Sequence, residues 1–111
     1  MLSQRKFQPI LENLLKYNGV KSVVIANEEG FPLAFQSKDP SFTSDDAEVA
    51  AAVFASLVGK ANLATKQINR GELNFFTLDL TTGEILVALE QDYIVIAIRE
   101  RPDKTSRSLM S

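Results

Sequence analysis

The sequence predicts an α+β sandwich, in which a five-stranded antiparallel sheet of order 2-1-5-4-3 has a short N-terminal helix on one face and a long helix on the other. Three observations lead to this fold. Two segments repeat apolar residues at helical spacing, one near the N-terminus and one in mid-chain. Five short segments of strand-forming residues accompany them. Tight turns join the last three of these strands. A chain of 111 residues is long enough for one such domain.

The long helix is predicted over residues 43–70. Thr43 is a suitable N-cap, with Asp46 three residues later as its acidic partner. Gly71 stands just past the end, where a left-handed residue commonly ends a helix. The face expected to lie on the sheet consists of Ala47, Ala50, Ala51, Phe54, Leu57, Val58, Ala61, Ala64 and Ile68.

A second strip of mostly small residues runs along the same helix. One sheet covers an arc of little more than 100°, so this strip needs another partner. Loops of the same chain are one possibility, and the same helix of a twin subunit is the other. We favour the twin, and expect a homodimer whose helix contact is formed by Val49, Ala52, Val53, Ser56, Lys60 and Leu63.

The short helix is predicted over residues 3–17. Pro9 cannot donate a hydrogen bond to the carbonyl of Arg5, so we expect the helix to be regular only from about Gln8. Asn18 and Gly19 suit its end. The expected buried face consists of Phe7, Ile10, Leu11, Leu14 and Tyr17.

The composition of the five strands predicts their order in the sheet. The first, fourth and fifth are continuous apolar runs, as expected where helices cover both faces. Pro32 lacks a ladder donor and places the second strand at an edge. Polar residues interrupt the third strand, LNFFTLDL, which takes the other edge. Hairpins then leave the first and fifth strands to pair. The predicted strands are 20–26, 31–36, 73–80, 84–90 and 93–98.

The third strand is an edge strand without proline, and such an edge invites pairing with another chain. Pairing with its own copy satisfies the free ladder by two-fold symmetry. We therefore expect it to contribute a second part of the dimer contact, formed by Asn74, Phe75, Phe76 and Thr77.

The composition argues against an enzyme. The chain has no cysteine and no histidine, so thiolate chemistry and the commonest general base and metal ligand are missing. We predict no catalytic residues, no cofactor and no metal. A net charge of −2 gives no footprint for nucleic acid, and no secretory signal or membrane-inserting run is evident. We expect a cytoplasmic protein with one domain over residues 1–101 and a polar, frayed tail over 102–111.

The order of elements resembles the Roadblock/dynein light chain family. The segments that carry the resemblance are GVKSVVIANEEGFPLA and the alanine-rich helix start DDAEVAAAVFASL, followed by three strands with tight turns. Together they span about residues 7–99. The family often carries a third helix after the last strand, whereas about a dozen polar residues follow here, as in a minimal, prokaryotic-like form.

The resemblance implies a non-catalytic domain that homodimerises through the long helix and the third strand. It also implies a partner, because members of this family commonly bind Ras-like small GTPases as regulators or scaffolds. The alternative is a ligand-sensing or peptide-binding module of longin or profilin architecture, since fold alone does not decide function. A ligand sensor is expected to enclose a cavity with convergent polar groups.

Overall fold

The computed structural model describes residues 2–101, with side chains from Arg5 onward. It contains two helices and five strands. The strands form one antiparallel sheet of order β2-β1-β5-β4-β3, which confirms the predicted topology. In chain order the elements are α1 (Leu2–Leu15), β1 (Val20–Ala26), β2 (Pro32–Ser37), α2 (Ser44–Gln67), β3 (Phe75–Asp79), β4 (Gly83–Leu89) and β5 (Ile94–Glu100).

The two helices pack on opposite faces of the sheet and give the protein two cores. On the α1 face, Phe7 and Leu11 pack against Val23 and Ile25 of β1. On the α2 face, Ala47, Ala51 and Val58 pack against alternate residues of the same central strands, including Val24 and Ile96. Strand β1 is therefore buried on both faces, which explains its continuous apolar sequence.

Helix α2 begins as predicted and ends earlier than predicted. The Asp46 carboxylate accepts hydrogen bonds from the backbone N–H of Thr43 at 2.8 Å and from its hydroxyl at 3.2 Å. At the other end, Asn69 takes the left-handed conformation with φ 61°, so the helix stops at Gln67 rather than near Gly71. Arg70 N–H donates to the carbonyl of Thr65, which closes a Schellman-type end.

Helix α1 corrects two expectations. It runs through Pro9 without the predicted irregular first turn, and Phe7, which precedes the proline, is 3% exposed and packs edge-on against Tyr93. Burial of this turn offsets the lost hydrogen bond of the proline. Leu15 occupies the buried position that was expected for Tyr17, which is 63% exposed, because the helix ends before residue 17.

Strand β4 is not covered on both faces, contrary to its continuous apolar sequence. Helix α1 packs on β1 and β2, away from β3 and β4. Val87 is buried on the α2 face, whereas Leu86 on the α1 face is 37% exposed. The α1 face of β3 and β4 is therefore bare in a single chain. The predicted tail, residues 102–111, lies outside the described residues.

Candidate protein-interaction surface

The second strip of α2 is exposed to solvent in the single chain. All six residues expected at the helix contact are exposed, and Val49 is 63%, Val53 54% and Leu63 57% exposed. No other part of residues 2–101 buries this strip, so the alternative of cover by the chain's own loops is wrong for that range. Such exposed apolar side chains in a row are typical of an interface.

The spacing of the strip suits close packing of two helices. Residues 49, 53, 56, 60 and 63 alternate between steps of four and three, which keeps a seam on one side of a helix. Ser56 stands at the centre of this series. Lys60 is the only charged member, and its aliphatic stem can pack while the ammonium group reaches solvent.

The free edge of β3 is the second part of the expected contact. Strand β3 pairs with β4 alone. Leu80 and Gly83 exchange two backbone hydrogen bonds, and Leu89 N–H donates to the carbonyl of Asn74. Because such bonds alternate along an antiparallel ladder, the backbone groups of Phe75 and Thr77 point outward at the free edge.

The side chains of the four residues expected at the strand contact differ in their surroundings, and Asn74 lies just before β3. Phe76 is half-buried on the α2 face, and Phe75 is 62% exposed on the opposite face. Asn74 and Thr77 are exposed. The structure thus places the helix strip on one surface and the strand residues along the neighbouring sheet edge. The residue contacts of a dimer stay a prediction, since they involve a second copy.

An arginine that stimulates GTP hydrolysis in a partner must be free to reach its phosphate, and of Arg70, Arg99 and Arg101 two are engaged within the chain. Arg99 donates to the carbonyl of Asn18 at 2.9 Å and to the Glu84 carboxylate at 3.0 Å. Arg101 donates to Asp79 at 2.6 Å. Arg70 is exposed, and its side chain forms no hydrogen bond or ion pair with the other described residues.

The acidic residues Asp39 and Asp46, near the start of α2, act locally. Asp46 caps the helix, as described above. The side-chain hydrogen bond from Ser41, at 2.7 Å, lowers the pKa of the Asp39 carboxyl, and the backbone N–H of Ser41 at 2.9 Å adds to the effect. This exposed cluster orders the connector between β2 and α2.

The cavities at α2 are open clefts. One of about 540 Å³ lies beside the first half of the helix and includes Val49 and Val53, two residues of the exposed strip. Another of about 410 Å³ lies under its second half, where Glu28, Asn62, Lys66 and Glu90 converge. Three of these four side chains are exposed, so this cleft lacks the enclosure that a ligand sensor is expected to have.

Sequence patterning misses a further group of exposed apolar residues. It predicts covered positions for Tyr17 and Leu86, which are 63% and 37% exposed, and Phe31 beside the β1–β2 turn is 65% exposed. The sequence does contain a signal for the exposure of Tyr17: the pair Asn18 and Gly19, which ends helices, follows it directly and shortens α1. The exposure of Leu86 has no local signal, since it depends on where α1 lies.

By length and composition alone, Ser44–Gln67 is the one helix of residues 2–101 that could cross a bilayer, with 22% of its most apolar window buried. In this structure the helix packs on the sheet through Ala47, Ala51 and Val58.

Comparison with known structures supports the same architecture. A Roadblock/LC7 domain from Streptomyces avermitilis superposes with a TM-score of 0.72 at 17% identity, covering 92% of this chain and 96% of that one. MglB from Myxococcus xanthus gives 0.77 at 14% identity, with 96% and 81% covered. The gliding protein MglB from Thermus thermophilus gives 0.77 at 12%, with 90% and 75% covered. At such identities these likenesses show the fold.

The family itself is shown by sequence. Residues 6–100 match the Roadblock/LC7 domain, which includes every helix and strand except the start of α1. The chain therefore belongs to the Roadblock/LC7 domain family.

Proposed function

We propose that the protein is a non-catalytic, homodimeric scaffold or regulator that binds a Ras-like small GTPase in the cytoplasm. The observation that carries the proposal is the exposed apolar strip of α2 beside the unpaired edge of β3. Membership of the Roadblock/LC7 family supports it, since the resemblance implies both dimerisation and a GTPase partner.

One two-fold axis can satisfy both parts of the dimer contact. An axis perpendicular to the sheet at the free edge of β3 pairs this strand antiparallel with its copy. The same axis sets the two α2 helices antiparallel in one layer above the joined sheets. Burying Val49, Val53 and Leu63 contributes roughly 1.5–3 kcal/mol for each side chain that becomes fully covered. The contact is repeated by symmetry, which doubles this contribution, and it offsets the cost of association.

Paired α2 helices supply a platform for another protein. Outside the dimer contact the helix carries the exposed Gly59, where a Cβ would meet no other atom within 4 Å, so a partner can approach the backbone closely there. The turn between β1 and β2 packs against this helix, since a Cβ on Gly30 would lie 3.1 Å from Ala52 Cα. This contact fixes the platform's rim and limits the ordering cost of binding.

Any effect on GTP hydrolysis is expected to come through the partner's own residues. Arg99 and Arg101 are held by carboxylates and carbonyl groups, whereas an arginine finger must be free to reach a γ-phosphate in trans. We therefore propose that the dimer acts by binding one conformation of the GTPase switch loops more tightly. Such a shift requires different affinities for the GDP and GTP states.

The test is a titration of the dimer against purified small GTPases of the same organism, each loaded with GDP or with a non-hydrolysable GTP analogue. We expect one GTPase to bind, with at least roughly fivefold preference for one state, as is typical of coupling energies of about 1–3 kcal/mol. Arg70→Ala and Arg5→Ala are the controls, because each removes an exposed arginine that is not engaged with the other described residues. Stimulation of hydrolysis should survive both.

The proposal is wrong if the folded dimer binds none of these GTPases in either the GDP-loaded or the GTP-analogue-loaded state. The cleft of about 410 Å³ lined by Glu28, Asn62, Lys66 and Glu90 would then become the first place to look for a ligand.

A further inference from the structure

The end of the sheet that carries the β1–β2 and β4–β5 turns forms a surface that the expected dimer contact does not use. Ala26, the last residue of β1, pairs with Ile94, the first residue of β5, so these two turns lie side by side. The second half of α2 lies beside them, and all three segments line the cleft of about 410 Å³. We call this the turn surface, and it consists of Glu28, Phe31, Gly59, Asn62, Lys66 and Glu90.

Helix α2 presents to the turn surface a line of residues that differs from its dimer strip. Residues 55, 59, 62 and 66 recur at steps of four and three, and all of them line the cleft. Three of them directly precede a member of the strip, so the line is turned from the strip by about 100° around the helix. Pairing of the two α2 helices through the strip therefore leaves the turn surface open.

Phe31 is held in its exposed position by the hydrogen bonds of its own backbone. Its N–H donates to the side-chain oxygen of Asn27 at 2.9 Å, and its carbonyl oxygen accepts from the N–H of Asn27 at 3.0 Å. Gly30, which precedes it, packs against Ala52 of α2. The turn is thus fixed on both sides, and the Phe31 side chain stays 65% exposed. A partner can bury such a ring with little further ordering of the chain.

The charged side chains of the turn surface are uncommitted. Glu28, Lys66 and Glu90 line the cleft, and none of them forms an ion pair or a side-chain hydrogen bond with another residue in the part of the chain that the structure describes. Glu29 and Asp92 are exposed in the same two turns. Four carboxylates against one ammonium group leave an excess of negative charge, which attracts a basic partner.

This excess of carboxylates separates the possible occupants. A second copy docked here by two-fold symmetry would bring the same surface, and with it the same charge, against itself. The anionic surface of a membrane would repel the carboxylates as well. A small ligand would keep much of its own surface in water, because the cleft is open. A protein that carries Lys or Arg beside an apolar pocket complements both the charge and Phe31.

We propose that the partner GTPase docks on the turn surface, where it buries Phe31 in an apolar pocket and places a Lys or Arg side chain between Glu28 and Glu90. The inference rests on the function proposed above and assigns the contact to particular residues. A Cβ on Gly59 would meet no other atom within 4 Å, so the backbone of the GTPase can pass there on its way to the cleft. Phe31 is the apolar anchor of the contact, and the carboxylates set its orientation and its rate of formation.

The test repeats the GTPase titration with variants of the turn surface. Phe31→Ala should weaken binding roughly tenfold or more, because the anchor is lost. Tyr17→Ala is the matched control, since Tyr17 is an aromatic residue of similar exposure, 63%, beyond the end of α1. It should bind as the original chain does. Circular dichroism and light scattering should give both variants the fold and the mass of the original chain.

Charge reversal tests the contact with the cleft. Glu28→Lys and Glu90→Lys should each slow association roughly fivefold or more and reduce its dependence on salt. Glu12→Lys is the control, because Glu12 is exposed on α1 and its reversal changes the net charge equally. Reversal of one Lys or Arg of the GTPase should restore binding to Glu28→Lys, which identifies the side chain that enters the cleft.

The outcomes separate this inference from the proposed function. If a GTPase binds the original chain, Phe31→Ala and Glu28→Lys equally well, the turn surface is not the docking site and the proposed function stands. Equal weakening by Tyr17→Ala and Phe31→Ala would also overturn the inference, as would a loss of self-association in Phe31→Ala, which would assign the surface to a contact between copies. If no GTPase binds the original chain, both the inference and the proposed function are wrong.

Discussion

The guanidinium group of Arg101 donates a 2.6 Å hydrogen bond to the carboxylate of Asp79, and so links the end of β5 to the end of β3 across the intervening strand β4. The same nitrogen lies 3.3 Å and 3.4 Å from the carbonyl oxygens of Leu80 and Gly83 in the β3–β4 turn. Arg101 thus holds the hairpin that carries the free sheet edge.

Arg101→Ala should loosen this hairpin. The Asp79 side chain is 57% exposed, so solvent screens the pair, and we expect the free energy of unfolding to fall by only about 1 kcal/mol. Hydrogen exchange of the Leu80 and Gly83 amides should accelerate more than that of β1. Arg70→Ala is the control and should change neither quantity. Equal stability and exchange in both variants would show that the link is dispensable.

Leu63→Glu should dissociate the proposed dimer. The change places a charge in the helix contact, which costs about 3 kcal/mol or more unless the charge finds a partner. Light scattering should show a monomer with unchanged circular dichroism, because Leu63 is 57% exposed in the single chain. Tyr17→Glu, on the other face, should leave the dimer intact. A dimer that survives Leu63→Glu would remove this residue from the contact.

Ser56→Cys should crosslink the two copies. In antiparallel helices related by a two-fold axis, the central residue of the seam faces itself, and Ser56 is the midpoint of residues 49–63. The chain has no cysteine of its own, so an oxidised dimer on a non-reducing gel reports this one pair, whose Cα atoms must approach within about 7 Å.

Val49→Cys is the matched control for the crosslink. Its two copies would lie about 20 Å apart along the helices, twice seven residues at 1.5 Å each. Crosslinking at Val49 but not at Ser56 would contradict the antiparallel arrangement.

Thr77→Pro should break the pairing of β3 edges while sparing the fold. The Thr77 N–H points outward from the ladder, as inferred from the bonds of Leu80, Gly83 and Leu89. Proline at position 77 removes this outward N–H donor, and it removes no backbone N–H that donates a hydrogen bond to β4. The dimer dissociation constant should rise in sedimentation experiments, and Thr77→Val should leave it unchanged. A dimer unaffected by the proline would exclude the strand contact.

Ser41→Ala should raise the pKa of the Asp39 carboxyl, because it removes the first cause of the lowered value. The backbone N–H of Ser41 remains, so the pKa should stay below its ordinary value. A carboxyl group whose pKa is lower in the folded protein than in the unfolded chain stabilises the fold at pH values above its pKa in the unfolded chain. This stabilisation is lost as the pH falls through the pKa of the folded protein. The variant should therefore lose less stability on acidification. Carboxyl NMR titration measures the pKa, and Ser56→Ala is the control.

The order of the sheet could be read from sequence because its signals are local. Pro32 excludes a central position for its strand, and Gly30, at φ 94°, allows the turn that pairs β1 with β2. With β2 and β3 at the two edges and the three hairpins assigned, β1 and β5 are the two strands left to pair with each other. The capping pair of Thr43 and Asp46 is equally local, since three residues separate its members.

The sequence by itself determined the elements, their order and the outward strip of α2, because helical and strand periodicities act over a few residues. Only the tertiary structure decided which apolar residues stay uncovered. Leu86 has the sequence pattern of a core residue, yet α1 lies over β1 and β2, so Leu86 faces solvent. The position of one layer over another depends on packing between distant segments, and no local pattern encodes it.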